Sequence, residues 1–142
     1  MLSLPLKTAN TCARGDDMTK EQALYSFWSS FQLPAYEENS IFSLNEAPAF
    51  PYITYEVQTD NFGSVVSLSA SLWYRTASWT AANTKAREIS AVIGMGGFCL
   101  PLDEGAMWVK RGSPFSQSMG DGSDDMIKRV VLNIEVEYFT EN

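Results

Sequence analysis

The stretch that most constrains this chain runs from Val65 to Gly94, where the spacing of apolar residues switches from two to three and four. Val66, Leu68, Ala70, Leu72 and Tyr74 alternate with Ser67, Ser69, Ser71 and Arg75, and Trp73 is the large exception. Period two with one small polar face predicts a half-buried strand with antiparallel neighbours. A polar face of serines suits close approach by another chain, so Ser67, Ser69 and Ser71 are a candidate subunit-facing surface. The plainer alternative is a solvated face. After Thr76-Ala77-Ser78, the residues Trp79, Ala82, Ala86, Ile89 and Ile93 step at helical spacing. Ser78 is the expected N-cap and Gly94 the expected stop. The Trp79–Ile93 stripe must then pack on the apolar face of the sheet.

The remaining elements follow from the same signals. Thr19-Lys20-Glu21-Gln22 fits a capping box, and Leu24, Phe27, Trp28 and Phe31 form one face of a helix ending before Pro34. Residues 34–51 read as a connection with room for a short strand. Residues 52–58 read as a strand with Ile53, Tyr55 and Val57 inward, joined to the next by a turn at Asp60-Asn61-Phe62-Gly63. Residues 98–102 and 106–110 form a second hairpin across Asp103-Glu104-Gly105. Val130, Leu132, Ile134, Val136 and Tyr138 alternate in a long last strand, expected at the centre of the sheet. The fold class is α+β, with two helices on a mainly antiparallel sheet in the order α-β-β-α-β-β-β. Residues 1–17 show no period and read as a flexible arm or extension. Residues 18–142 read as one domain, which this length supports.

Arg111 to Asp125 reads as a long polar loop, and long loops in compact domains are commonly functional. Its candidate contact residues are Arg111, Phe115, Gln117, Met119, Asp121, Asp124 and Asp125. The three aspartates do not match a calcium-loop pattern. Gly94-Met95-Gly96-Gly97 follows a helix instead of preceding one, and no Lys-Ser/Thr comes after it, so it is not a phosphate loop.

Composition narrows the chemistry. The chain has no histidine, which removes imidazole bases, Ser-His-Asp triads and His-ligated metals. Cys12 and Cys99 are far apart, and Cys99 sits in an apolar run that predicts a buried thiol. No catalytic role, metal or cofactor is expected. The net charge of −7 argues against a dedicated nucleic-acid surface, though an acidic wall lets phosphate slide past. No apolar run approaches the ~20 residues of a membrane span. The start is too short and too broken for a signal-peptide core, so an intracellular protein is expected.

Three segments carry a family resemblance: Ala47-Pro48-Ala49-Phe50-Pro51-Tyr52-Ile53-Thr54-Tyr55, then Ser71-Leu72-Trp73-Tyr74-Arg75 leading into a helix, and a final strand from Leu132 to Phe139. In pattern and element order, across roughly Met18 to Phe139, the chain resembles the tail terminator (tail completion) proteins of long-tailed bacteriophages and prophages. The resemblance implies a structural virion protein, assembled in the host cytoplasm. Its subunits would form a ring, typically a homohexamer, that caps the tail tube and ends its polymerisation. The implied partners are the major tail tube protein and a head-completion or neck protein, with DNA passing through the ring without sequence-specific binding. Another head-tail connector is the nearest alternative. A monomeric binding module using an aromatic-lined pocket is the alternative from a different class, given four Trp and six Tyr. An enzyme would need carboxylate pairs, and none has diagnostic spacing.

Overall fold

A computed structural model describes residues 18–141. The expected arm over residues 1–17 lies outside the described residues. Two helices lie on one face of a curled six-stranded sheet, an α+β arrangement. The first helix, α1 (Lys20–Ser29), opens with the expected capping box. Thr19 Oγ1 accepts from the Gln22 N–H, and Gln22 Oε1 accepts from the Thr19 N–H.

After the turn that follows α1 comes a strand that periodicity did not resolve, β1 (Ala35–Glu37). It pairs in parallel with β2 (Tyr52–Tyr55). The order is therefore α-β-β-β-α-β-β-β, one strand more than expected. Three residues are too few to show a period, and β1 exists because β2 offers it a ladder. The connection between them includes a short 3₁₀ turn at Ser40–Ser43. Strand β2 is also shorter than the expected 52–58.

Strand β3 (Val65–Arg75) and helix α2 (Thr80–Ile93) form as expected. Ala82, Ala86, Ile89 and Ile93 are buried, and Trp79 is half-buried. The N-cap is Trp79, not Ser78 as expected; Ser78, two residues before the helix, accepts from the Thr80 N–H at 3.1 Å through its hydroxyl. Gly94 ends the helix with φ of 78°, a conformation that favours glycine. Strands β4 (Phe98–Leu102), β5 (Gly105–Gly120) and β6 (Ile127–Thr140) complete the sheet in the order β1-β2-β3-β6-β5-β4. As expected, β6 is central, and every second residue from Lys128 to Thr140 is buried.

Two further expectations are corrected. Arg111 to Gly120 is not a loop; it continues β5, with a bulge between Arg111 and Ser116, leaving a short turn at residues 121–126. Serine, glycine and proline carry weak strand propensity, and most of these residues are exposed, so no apolar alternation marked them. The β6 backbone supplied the ladder. Cys99 is not a buried thiol: it is disulfide-bonded and half-buried. It sits on β4, an edge strand, where the sheet encloses less of each side chain. The other cysteine of the chain, Cys12, lies outside the described residues.

The core joins both helices to one face of the sheet. Trp28 stacks near Tyr55 at 6.4 Å between ring centroids, and Phe27 meets Phe98 at 5.4 Å. No helix among the described residues is long and apolar enough to cross a membrane.

Burial shapes the alkaline behaviour of the domain. Tyr138 is enclosed, and its hydroxyl donates to the Gln58 carbonyl at 2.6 Å. Burial first, then the charges of Glu21 and Asp60, pushes its pKa up to about 12. Burial, with Glu37 and Tyr25 nearby, pushes Tyr55 up to about 12 as well. Between the ordinary value of 10.0 and about 12 the native state keeps protons that the unfolded chain gives up. Stability from these phenols is therefore fully present below pH 10 and is lost as pH rises towards 12. Denaturant titrations across that window should show a falling midpoint. Native protein in which every phenol ionises together near pH 10 would contradict the enclosure of these rings.

Candidate functional site: the open strand edges

The sheet has two sides, and strand lengths leave part of each open. On one side β4 accompanies β5 only as far as Val109, opposite Phe98. Among the described residues, no strand lies beside the outer edge of β5 from Lys110 to Gly120, and Ser116–Gly120 is exposed. On the other side the outermost strand is β1.

Hydrogen-bond alternation shows which backbone groups face outward. The Glu56 N–H donates to the Ser69 carbonyl, so Ser69, Ser71 and Trp73 present their backbone to β2, and Leu68, Ala70 and Leu72 present theirs to β6. Opposite them, Val130 and Leu132 face β3, which leaves Arg129 and Val131 to bond Met119 and Gln117 of β5. Ser116, Ser118 and Gly120 therefore point their N–H and C=O groups out of the sheet. On β1, Ile53 N–H donates to the Pro34 carbonyl and Glu38 N–H to the Tyr55 carbonyl. That turns Ala35 and Glu37 outward. No backbone hydrogen bond joins either outward set to another described residue.

Base is concentrated on one side, while acid occurs on both, with Asp121, Asp124 and Asp125 in the turn after β5. Residues 21–74 hold Glu21, Glu37, Glu38, Glu46, Glu56 and Asp60 and no Lys or Arg. Three of these acids, Glu37, Glu38 and Glu46, belong to β1 and the connection after it. Helix α2 and strand β5 instead carry Lys85, Arg87, Lys110 and Arg111 against Glu88 alone. Lys85 is paired with Glu88 at 3.1 Å, while Arg87 is exposed beside a cleft lined by Asn83, Ala86, Ser90, Phe115 and Ser116. Phe42, in the turn after β1, is 85 % exposed.

The expected contact residues do not form one surface. Arg111 Nη1 donates to Ser90 Oγ at 2.7 Å on α2, and Phe115 packs against the core. Gln117 and Met119 are exposed on β5. Asp121, Asp124 and Asp125 belong to the turn. Asp121 accepts from the Ser123 N–H and hydroxyl, which lowers its pKa. The Met126 N–H lowers that of Asp124, and Arg75 lies 3.1 Å from its carboxylate. The Asp125 carbonyl accepts from Lys128.

The serine face is corrected in part. Ser67 is exposed, Ser69 is half-buried, and Ser71 is buried, covered where Arg129 Nε donates to its hydroxyl at 3.0 Å. A row of large side chains stands over that end of the face. Tyr52 stacks on Trp73 at 6.1 Å, and the Arg129 guanidinium lies 4.8 Å from the Trp73 ring. Trp73 Nε1 donates to Thr54 Oγ1 at 2.9 Å. Tyr52 from β2 and Arg129 from β6 thus both stand against the half-buried Trp73 ring.

Sequence reasoning missed Ala35, Glu37 and Arg87. The absence of basic residues over 21–74 was a visible sign of the charge division; the outward backbone groups had no sign, because they depend on register. Among the described residues, no three Cys, Asp or Glu converge as a metal site. Comparison with known protein families, curated proteins and solved structures returns no match for this chain.

Proposed function

We propose that this chain is a self-associating structural protein of a phage neck or tail, whose subunits form a ring of the tail-terminator kind. The ring caps the tail tube, stops its growth and offers a surface to the head's neck. Its partners are further copies of itself, the tube protein and a head-completion protein, and DNA passes through without sequence-specific binding. The observation that carries the reading is the pair of open strand edges on opposite sides of one sheet. Unpaired edges are a liability in a monomer and are usually blunted by charge, proline or cover. Here Lys110, Arg111, Pro114 and the bulge blunt only the first part of the open β5 edge, and Ser116–Gly120 carries no charge and no proline. A subunit whose edges are completed by its neighbours removes that liability.

Native mass spectrometry of the purified chain over a range of concentrations tests this. A defined oligomer, with a hexamer as the expected species, supports the ring. Addition of tube protein then checks capping, by arrest of tube elongation seen in electron micrographs. A chain that stays monomeric at high concentration both alone and with tube protein would sink the proposal.

A further inference from the structure

We infer that the open edge of β5 in one copy takes the β1 edge of a second copy as an antiparallel strand, with Ser118 opposite Ala35 and Ser116 opposite Glu37. The inference rests on the self-association proposed above and specifies its contact.

Register supplies the first ground. One row across the sheet reads Ala35, Ile53, Leu72, Val130, Ser118, and another reads Glu37, Tyr55, Ala70, Leu132, Ser116. The four end residues of these two rows are the ones whose backbone groups point outward. Both edges thus offer their unpaired donors and acceptors at the same level of the sheet and at the same two-residue spacing. Strand direction supplies the second. Strands β5 and β3 are both antiparallel to β6, while β1 is parallel to β2, which is antiparallel to β3. In a copy placed beside the first in the same sense, β1 runs opposite to β5. The contact is then a regular antiparallel ladder, each outward pair able to exchange two hydrogen bonds.

Side chains and charge favour a second copy as the occupant. Ser116 and Ser118 are small and exposed, and Ala35 is small and 8 % exposed, with its side chain in the core of its own subunit. The incoming edge brings Glu38, Glu46 and the exposed Phe42. It meets a side bearing Arg87 and a cleft with Ala86 and Phe115 in its wall. Two like-charged copies of net charge −7 would otherwise repel. Glu38 meeting Arg87 offsets part of this, against the Asp121 and Asp125 carboxylates in the turn beyond Gly120. Because the two edges differ, the contact is heterologous, and repetition closes into a ring where the rotation per subunit divides a full turn.

The test uses the full chain. Ser118→Pro removes an N–H that points out of the sheet and places the ring where the second copy would dock. Proline is tolerated at such a position, so the β6 ladder stays intact. Ala35→Pro does the same on the other edge. Each variant should fold, as judged by circular dichroism, and remain monomeric by native mass spectrometry where the unmodified chain assembles. Mixed, they should give a 1:1 heterodimer and nothing larger. Only the β5 edge of the Ala35→Pro chain and the β1 edge of the Ser118→Pro chain remain usable. Arg87→Glu should weaken assembly independently. Assembly of Ser118→Pro like the unmodified chain overturns the inference while leaving the ring proposal standing. A Ser118→Pro chain that cannot fold also overturns it, because the N–H must then serve β6. A monomeric unmodified chain overturns both.

Discussion

Ile89→Asp is expected to abolish folding. Ile89 is fully enclosed in the stripe that α2 lays on the sheet, beside Ala82, Ala86 and Ile93. Removing it loses about 1.5–3 kcal/mol of burial. Placing a carboxylate there adds a desolvation penalty of roughly several kcal/mol, since the α2 stripe offers it no cation. Together these approach or exceed the whole stability of an ordinary domain, about 5–15 kcal/mol. The control is Val92→Asp, three residues along the same helix and 55 % exposed. It changes helix chemistry equally but should leave a cooperative unfolding transition near that of the parent chain. Circular dichroism with thermal melts separates the two. A folded Ile89→Asp protein with a normal melt would refute the packing of α2 described above.

Trp28→Ala is expected to cost about 3–5 kcal/mol, the range for deleting an enclosed aromatic side chain. Trp28 is 1 % exposed and sits among Phe27, Phe31 and Tyr55, with ring centroids 4.8, 6.5 and 6.4 Å away. It fastens α1 to the β2 side of the sheet, while Phe27 reaches Phe98 on β4. The cavity left behind cannot collapse easily, because its walls include rings held by α1, by the turn after it and by β2. Tyr25, on the same helix, is 53 % exposed, and its replacement by alanine should fall within about 1 kcal/mol. Urea titrations of both variants give the comparison. A Trp28→Ala loss below about 1 kcal/mol would show that α1 is not anchored through this residue.

The helices and the long strands were legible in the chain because their signals are local and repeated. Thr19 and Gln22 announce the start of α1, and Ala82, Ala86, Ile89 and Ile93 repeat once per turn. The alternation from Val130 to Tyr138 runs long enough to place β6 at the centre of the sheet. By contrast, β1 spans three residues, too few for any period. The second half of β5 is mostly Gly, Ser, Pro and Gln, whose local preferences are those of a loop, with Phe115 and Met119 its only large apolar side chains. It is a strand because Leu132, Val131, Val130 and Arg129 stand beside it. The same limit applies to Ser71: its place in the alternation marked it as outward-facing, but only the structure shows Arg129 arriving from β6 to cover it.

By itself, then, the amino-acid order determined the fold class, the two amphipathic helices, the central strand and the uneven distribution of acid and base along the chain. Tertiary structure decided which edges are left open, which serines remain exposed and which backbone groups point away from the sheet. The physical reason lies in range. Apolar periodicity and caps act over a few neighbouring residues and are written in sequence. Edge exposure depends on where partner strands stop, as β4 does at Val109. Outward orientation depends on pairing parity carried across five strands from β1 to β5, which no local stretch of the chain encodes.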